Sequence, residues 1–160
     1  MRVYYIECSK PLGVEVLDRY PYIQVLDAGR IAGREHIEYA LSQAEKAFQR
    51  GSNISGDPLI EAIVRASAQR QIKKALEIFG VKKSRKVYIM SEELPSELLS
   101  EYGCMEKNED AITEEKYKVL KETYGIGEKE ISAVAGEEFE ERVMALKNII
   151  KERIALLEAS

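Results

Sequence analysis

Between Arg65 and Lys86 the chain carries eight basic side chains (Arg65, Arg70, Lys73, Lys74, Lys82, Lys83, Arg85 and Lys86) against one acid, Glu77. That is +7 in a chain whose net charge is −4, so the remainder sums to −11. Cations at this density are chemistry for phosphate: ammonium and guanidinium groups neutralise it, and a guanidinium also stacks on an unpaired base. A basic helix face taken alone is a solvated surface. Its continuation into Lys82-Lys83-Ser84-Arg85-Lys86 makes a patch with a polyanionic partner the better reading.

Other reactive groups are sparse. His36 is the single histidine, beside the start of a helical pattern, where packing or hydrogen bonding is its expected role. Cys8 lies in a strand pattern, with nothing to lower its pKa. Cys8 and Cys104 have no metal-binding spacing and read as two buried thiols in a reducing cytoplasm rather than a disulfide. No Gly-rich phosphate loop, nucleophile elbow or HExxH pattern is present. No metal and no cofactor are expected, and the chain reads as an interaction module rather than an enzyme.

The elements that must carry the basic residues follow from local signals. Asp57 and Pro58 are an N-cap and a first helical residue, and Gly80 stops the pattern after Phe79. Ile72, Ala75, Leu76 and Phe79 recur at helical spacing, opposite Arg70, Lys73, Lys74 and Glu77. Ser67 suits the cap of a second helix, so two short helices with a joint are expected here.

Upstream, Val3 to Cys8 reads as a strand ending in the turn Ser9 to Gly13, and Tyr22 to Ala28 as a second strand. Val14 to Arg19 between them is a helical turn or a loop. A helix follows from Arg34 to Arg50, stopped by Gly51. Downstream come a third strand from Arg85 to Met90, a short helix from Ser96 to Tyr102, and a polar stretch in which Cys104-Met105 is a candidate fourth strand. Thr113 caps a helix to Thr123, and a helical turn covers Glu128 to Val134. The longest helix spans Glu137 to Glu158. Its stripe of Phe139, Val143, Leu146, Ile150, Ile154 and Leu157 is widened by Ala145, Ile149 and Leu156. That surplus fits either a helix wedged between two layers or a surface for a partner.

The 160 residues suit one domain over their whole length, and no apolar run approaches a membrane span. Met1 to Ile6 reads directly as a strand, which leaves no signal peptide. Charged residues make up 32% of the chain, a lean towards a thermophile's ion-pair networks.

Several stretches resemble one family. They are Asp27-Ala28, Ile31, Gly33 to Ile37, Ala40, Ala44, Ala47-Phe48, Arg50-Gly51 and Asn53-Ile54, then Glu61, Ala68 to Ile72, Ala75-Leu76 and Phe79-Gly80. Looser similarity continues through Tyr124 to Ile126 and Glu141 to Leu146. The chain is similar to archaeal forms of the small kinase-binding subunit of the KEOPS complex, homologous to the human p53-related protein kinase-binding protein. The resemblance implies a non-catalytic cytoplasmic subunit of the machinery that makes N6-threonylcarbamoyladenosine in tRNA. Such a subunit binds and activates a small atypical kinase/ATPase, engages the single-stranded 3′ CCA end of tRNA, and associates only indirectly with the threonylcarbamoyl-transferase. The fold implied is α+β, a compact two-layer domain with a small, mostly antiparallel sheet of three or four strands covered by helices. This agrees with the few strands and many helices read from the residues.

Under that resemblance Arg70 and Gln71 match the family's RQ pair, and Lys73, Lys74, Lys82, Lys83, Arg85 and Lys86 extend it as tRNA-binding candidates. The alternative for Arg70 and Gln71 is capping of neighbouring helix ends. The kinase-interface candidates are Ile72, Ile78, Ala145, Ile149 and Leu156, with core packing as their alternative. A stand-alone RNA-binding protein accounts for the basic stretch and leaves the apolar surplus unexplained. A small-molecule enzyme has only Cys8, His36 and scattered carboxylates to work with.

Overall fold

The computed structural model describes residues 1–108 and 110–159. A four-stranded antiparallel sheet in the order β2-β3-β1-β4 is formed by β1 (Arg2–Leu12), β2 (Gln24–Asp27), β3 (Ser84–Ser91) and β4 (Cys104–Lys107). Side-chain alternation sends β1's Val3 and Tyr5, β2's Leu26, and β3's Tyr88 and Met90 into one cluster. Ile6, Cys8, Val25, Val87 and Ile89 go into another on the opposite face. The larger cluster is closed by α2 (Arg34–Arg50), α3 (Pro58–Ala66), α6 (Glu114–Tyr124) and α8 (Phe139–Leu156), with α4 (Ile72–Phe79) and α7 (Glu128–Ser132) at its margin. Short helices α1 (Glu15–Arg19) and α5 (Ser96–Tyr102) cover the other face with Val16 and Leu98. The class is α+β.

Local chemistry accounts for most boundaries. The Asp57 carboxylate accepts from the N–H groups of Leu59 (2.8 Å) and Ile60 (3.2 Å), and Thr113 accepts from Lys116. Gly51 ends α2 at φ +72°, a conformation that a Cβ would strain. Two expectations are corrected. The first strand does not turn at Ser9 but runs on to Leu12. Between Glu7 and Leu12 it advances five residues while β3 moves from Lys86 to Ser84, a bulge-like irregularity in the β1–β3 ladder. Ser67 does not cap a second helix. It ends α3, its hydroxyl donating to the Val64 carbonyl at 2.6 Å, and α4 starts only after Gln71.

The cysteines are also corrected: they are not separate thiols. The fourth strand forms, antiparallel pairing sets Cys8 directly opposite Cys104 with Cα atoms 3.9 Å apart, and the two are joined in a disulfide. A separation of 96 residues hides that proximity from the sequence.

A crosslink that closes so long a loop contributes about 4.7 kcal/mol by loop-closure entropy. A dithiol reductant, or Cys8→Ser, should therefore lower the melting temperature by roughly 9–19 °C. Identical melting curves with and without reductant would show that the crosslink does not stabilise the fold.

Candidate functional site

The basic stretch begins with a residue that is not on the surface. Arg65 is 1% exposed. Its Nε donates to Glu61 Oε2 at 2.8 Å, one turn earlier in α3, its Nη2 donates to the Ser52 carbonyl at 3.2 Å, and its Nη1 donates to Glu158. The other oxygen of Glu61, also fully buried, accepts from the N–H groups of Ile54 (2.8 Å) and Ser55 (2.7 Å). Every charged atom here has a partner, the condition for keeping an ion pair out of water. Arg65 is therefore removed from the cationic patch.

The joint between α3 and α4 is held by Gln69, whose amide donates to Ser67 Oγ (2.7 Å) and to the Gln71 carbonyl (3.0 Å). Its carbonyl accepts from the Gln71 N–H (2.6 Å). Arg70 is exposed, yet its Nη1 donates to the Leu157 carbonyl at 3.1 Å, the end of α8. The helix-capping alternative thus describes one of its contacts. Gln71 is the N-cap residue of α4 without a side-chain cap bond.

Within α4, Ala75 and Phe79 are buried, Ile78 is half-buried, and Lys73 and Lys74 are exposed. Ile72 (37% exposed) and Leu76 (41%), on the apolar face of the helix, reach solvent, so core packing does not describe the interface candidate Ile72. The helix buries only Ala75 and Phe79, and Gly80 at its end bridges to Leu26 of β2. A Cβ on Gly80 would lie 2.6 Å from the Leu76 carbonyl, so this close turn needs glycine. Lys82, Lys83, Arg85 and Lys86 are all exposed. Lys82 and Lys83 sit in the turn into β3, where Ser84 Oγ accepts from the Lys82 N–H (3.3 Å) and donates to Asp27. Lys86 pairs across the sheet with Glu7 and faces Lys116. Burial pushes the Lys116 ammonium below its ordinary range, against the pull of its ion pair with Asp110.

The apolar candidates separate. Ala145 and Ile149 are buried on α8, packed in the larger cluster, whereas Leu156 is 63% exposed. Val134 (70% exposed) and Met144 (57%), which sequence reasoning passed over, flank a groove beside Ala145 and Ile149. Glu158 was passed over too. Its partner Arg65 lies 93 residues away, and no local pattern signals such a contact.

His36 works as a structural clamp. Its Nδ1 accepts from the Ala32 N–H (3.0 Å), which leaves Nε2–H to donate to the Ala66 carbonyl (2.8 Å), fastening the start of α2 to the end of α3. Burial pushes its pKa from 6.5 down to about 4. Among the described residues, no cluster of three or more His, Cys, Asp or Glu could hold a metal ion, and no helix is long and apolar enough to cross a membrane.

Comparison with known proteins adds two findings. Residues 12–158 match the family described as kinase binding protein CGI-121. Over 105 residues the chain is 30% identical to "Regulatory protein Cgi121" of Methanocaldococcus jannaschii, covering 64% of this chain and 70% of that protein.

Two predictions follow from the burial pattern. Folding stability should be fully retained above pH 6.5 and decline as pH falls towards 4, because the unfolded chain takes up a proton that native His36 refuses. The loss attributable to this residue is on the order of 3 kcal/mol. His36→Gln should flatten that part of the profile, and an unchanged slope would clear the residue of the effect. Ile149→Glu should cost about 3 kcal/mol or more by burying an unpaired charge. Leu156→Glu should leave the melting temperature within about 2 °C of the parent.

Proposed function

Because the chain belongs to the CGI-121 family of kinase-binding proteins, we propose that it is the non-catalytic, kinase-binding regulatory subunit of a KEOPS assembly. The observation that carries this reading is the family match across residues 12–158. In this role the protein binds the small atypical kinase/ATPase, raises its activity, and brings tRNA to the complex by its 3′ CCA end. It associates with the threonylcarbamoyl-transferase only through other subunits.

The surface supports a division of labour. The cations Arg70, Lys73, Lys74, Lys82, Lys83, Arg85 and Lys86 are exposed, and so are the apolar side chains Ile72, Leu76 and Leu156. Phosphodiesters need the former, while a protein partner gains from covering the latter. The Arg70 contact with the Leu157 carbonyl places the start of α4 beside the end of α8, so the cationic and apolar candidates adjoin at this corner.

The experiment mixes the purified protein with its cognate kinase and follows ATP hydrolysis. Stimulation is the expected result, and indifference of the kinase in the bound state would remove the regulatory role. Lys73→Glu with Lys74→Glu should weaken tRNA binding and flatten its dependence on salt. Each lost single-strand phosphate contact changes the log–log slope by about 0.7. Removing the CCA end should lower the affinity of the parent comparably, since each stacked base contributes roughly 1–3 kcal/mol. Equal binding of trimmed and intact tRNA, together with an unaffected double variant, would refute the RNA half and leave the kinase half standing.

A further inference from the structure

Two of the three groups that Arg65 bonds belong to the α2–α3 unit itself, namely Glu61 and the Ser52 carbonyl. The third, the Glu158 carboxylate, arrives on the turn Leu157–Ala159. Around that carboxylate the donors converge. Ser52 Oγ lies 3.1 Å from one oxygen and 3.4 Å from the other, Arg65 Nη1 donates to Oε1, and Arg50 Nη1 lies 3.7 Å from Oε2. Arg70 donates to the carbonyl of the preceding residue. Burial alone would raise the Glu158 pKa, but the Ser52 hydroxyl and the Arg65 guanidinium outweigh it and keep the group ionised.

Two guanidiniums and a hydroxyl converging on one oxyanion also suit a phosphate, whose oxygens take the same donors at the same distances. We propose that Arg50, Ser52 and Arg65 form a phosphate site, and that Glu158 is its intramolecular occupant, a plug that must swing away before a phosphate enters. Release of the carboxylate leaves buried Arg65 paired with Glu61 but without an acceptor at Nη1, a donor that an incoming phosphate oxygen satisfies. The site also opens to water, since Arg50 and Ser52 are exposed. A tethered carboxylate competes at an effective concentration on the order of millimolar, so the resting protein takes phosphate weakly. The phosphate is a free or monoester group or one belonging to RNA, two sources with the same donor requirement. The RNA source rests on the proposed function and deepens it, by placing regulation of RNA capture beside Arg70.

The probe is inorganic phosphate, titrated against chloride at matched ionic strength on the full chain. Glu158→Ala and the gentler Glu158→Gln, which keeps an acceptor for Arg65, should each gain about 3 °C in melting temperature at tenfold excess over the dissociation constant. The parent should move by less than about 1 °C over the same titration. Adding Arg50→Ala to either variant should diminish the gain. If parent and both variants respond alike, or the gain survives Arg50→Ala undiminished, the site does not exist. Single-stranded RNA ending in CCA separates the sources: a roughly three- to tenfold tighter complex with both variants assigns the site to RNA. A phosphate response without that gain assigns it to a free or monoester phosphate. The phosphate arm is read without RNA, so its result stands whether or not the protein binds tRNA.

Discussion

The buried pair Glu61–Arg65 is the constraint on which the rest of this structure depends. Glu61 accepts two backbone N–H groups from residues 54 and 55 with one oxygen and the Arg65 guanidinium with the other. It thereby fixes the path of the chain between α2 and α3. Removing either member would leave the other charged and dry, a penalty of about 3–5 kcal/mol. The pair also sets the rotation of α3, whose residues from Glu61 to Ala66 are all buried, and so sets where the next segment leaves. His36 closes the same unit from its other end, joining Ala32 to Ala66.

From that unit the surface follows. The joint held by Gln69 delivers α4 at an angle that buries Ala75 and Phe79 and turns Lys73 and Lys74 to water. The charge asymmetry then has two fates within one stretch of chain. Arg65 is spent on internal structure, and the cations from Arg70 onwards are presented outside. A net −11 elsewhere in the sequence keeps the field of those cations local, which suits a polyanion approaching one corner of the molecule.

The apolar surplus of α8 resolves in a comparable way. Ala145 and Ile149 are buried in the larger cluster, where α7 packs against α8, while Leu156 stays exposed near the chain's last described turn. One helix therefore contributes both to the core and to the surface that the proposed kinase contact uses. The disulfide acts at the opposite edge of the sheet, tying the short β4 to β1 where the four-residue strand has few bonds of its own.

Much of the fold was legible because its signals are local. Caps at Asp57 and Thr113, the stops at Gly51 and Gly80, and the period of α2, α4 and α8 depend on neighbours within a turn or two of chain. The positions of Lys73, Lys74, Lys82, Lys83, Arg85 and Lys86 on the outside were legible too, since a cluster of like charges has no cheap place inside. Which cation would be the exception was not. Arg65 looks no different from Arg70 in the sequence, and only Glu61, Ser52 and Glu158 converging from three elements make its burial tolerable. The same holds for Cys8 and Cys104, whose pairing exists because β4 lies beside β1, and for Ile72 and Ile149, whose helical stripes say that a face is apolar but not what covers it. Periodicity is a property of one element. Burial belongs to the contact between two, and the tertiary structure alone decides it.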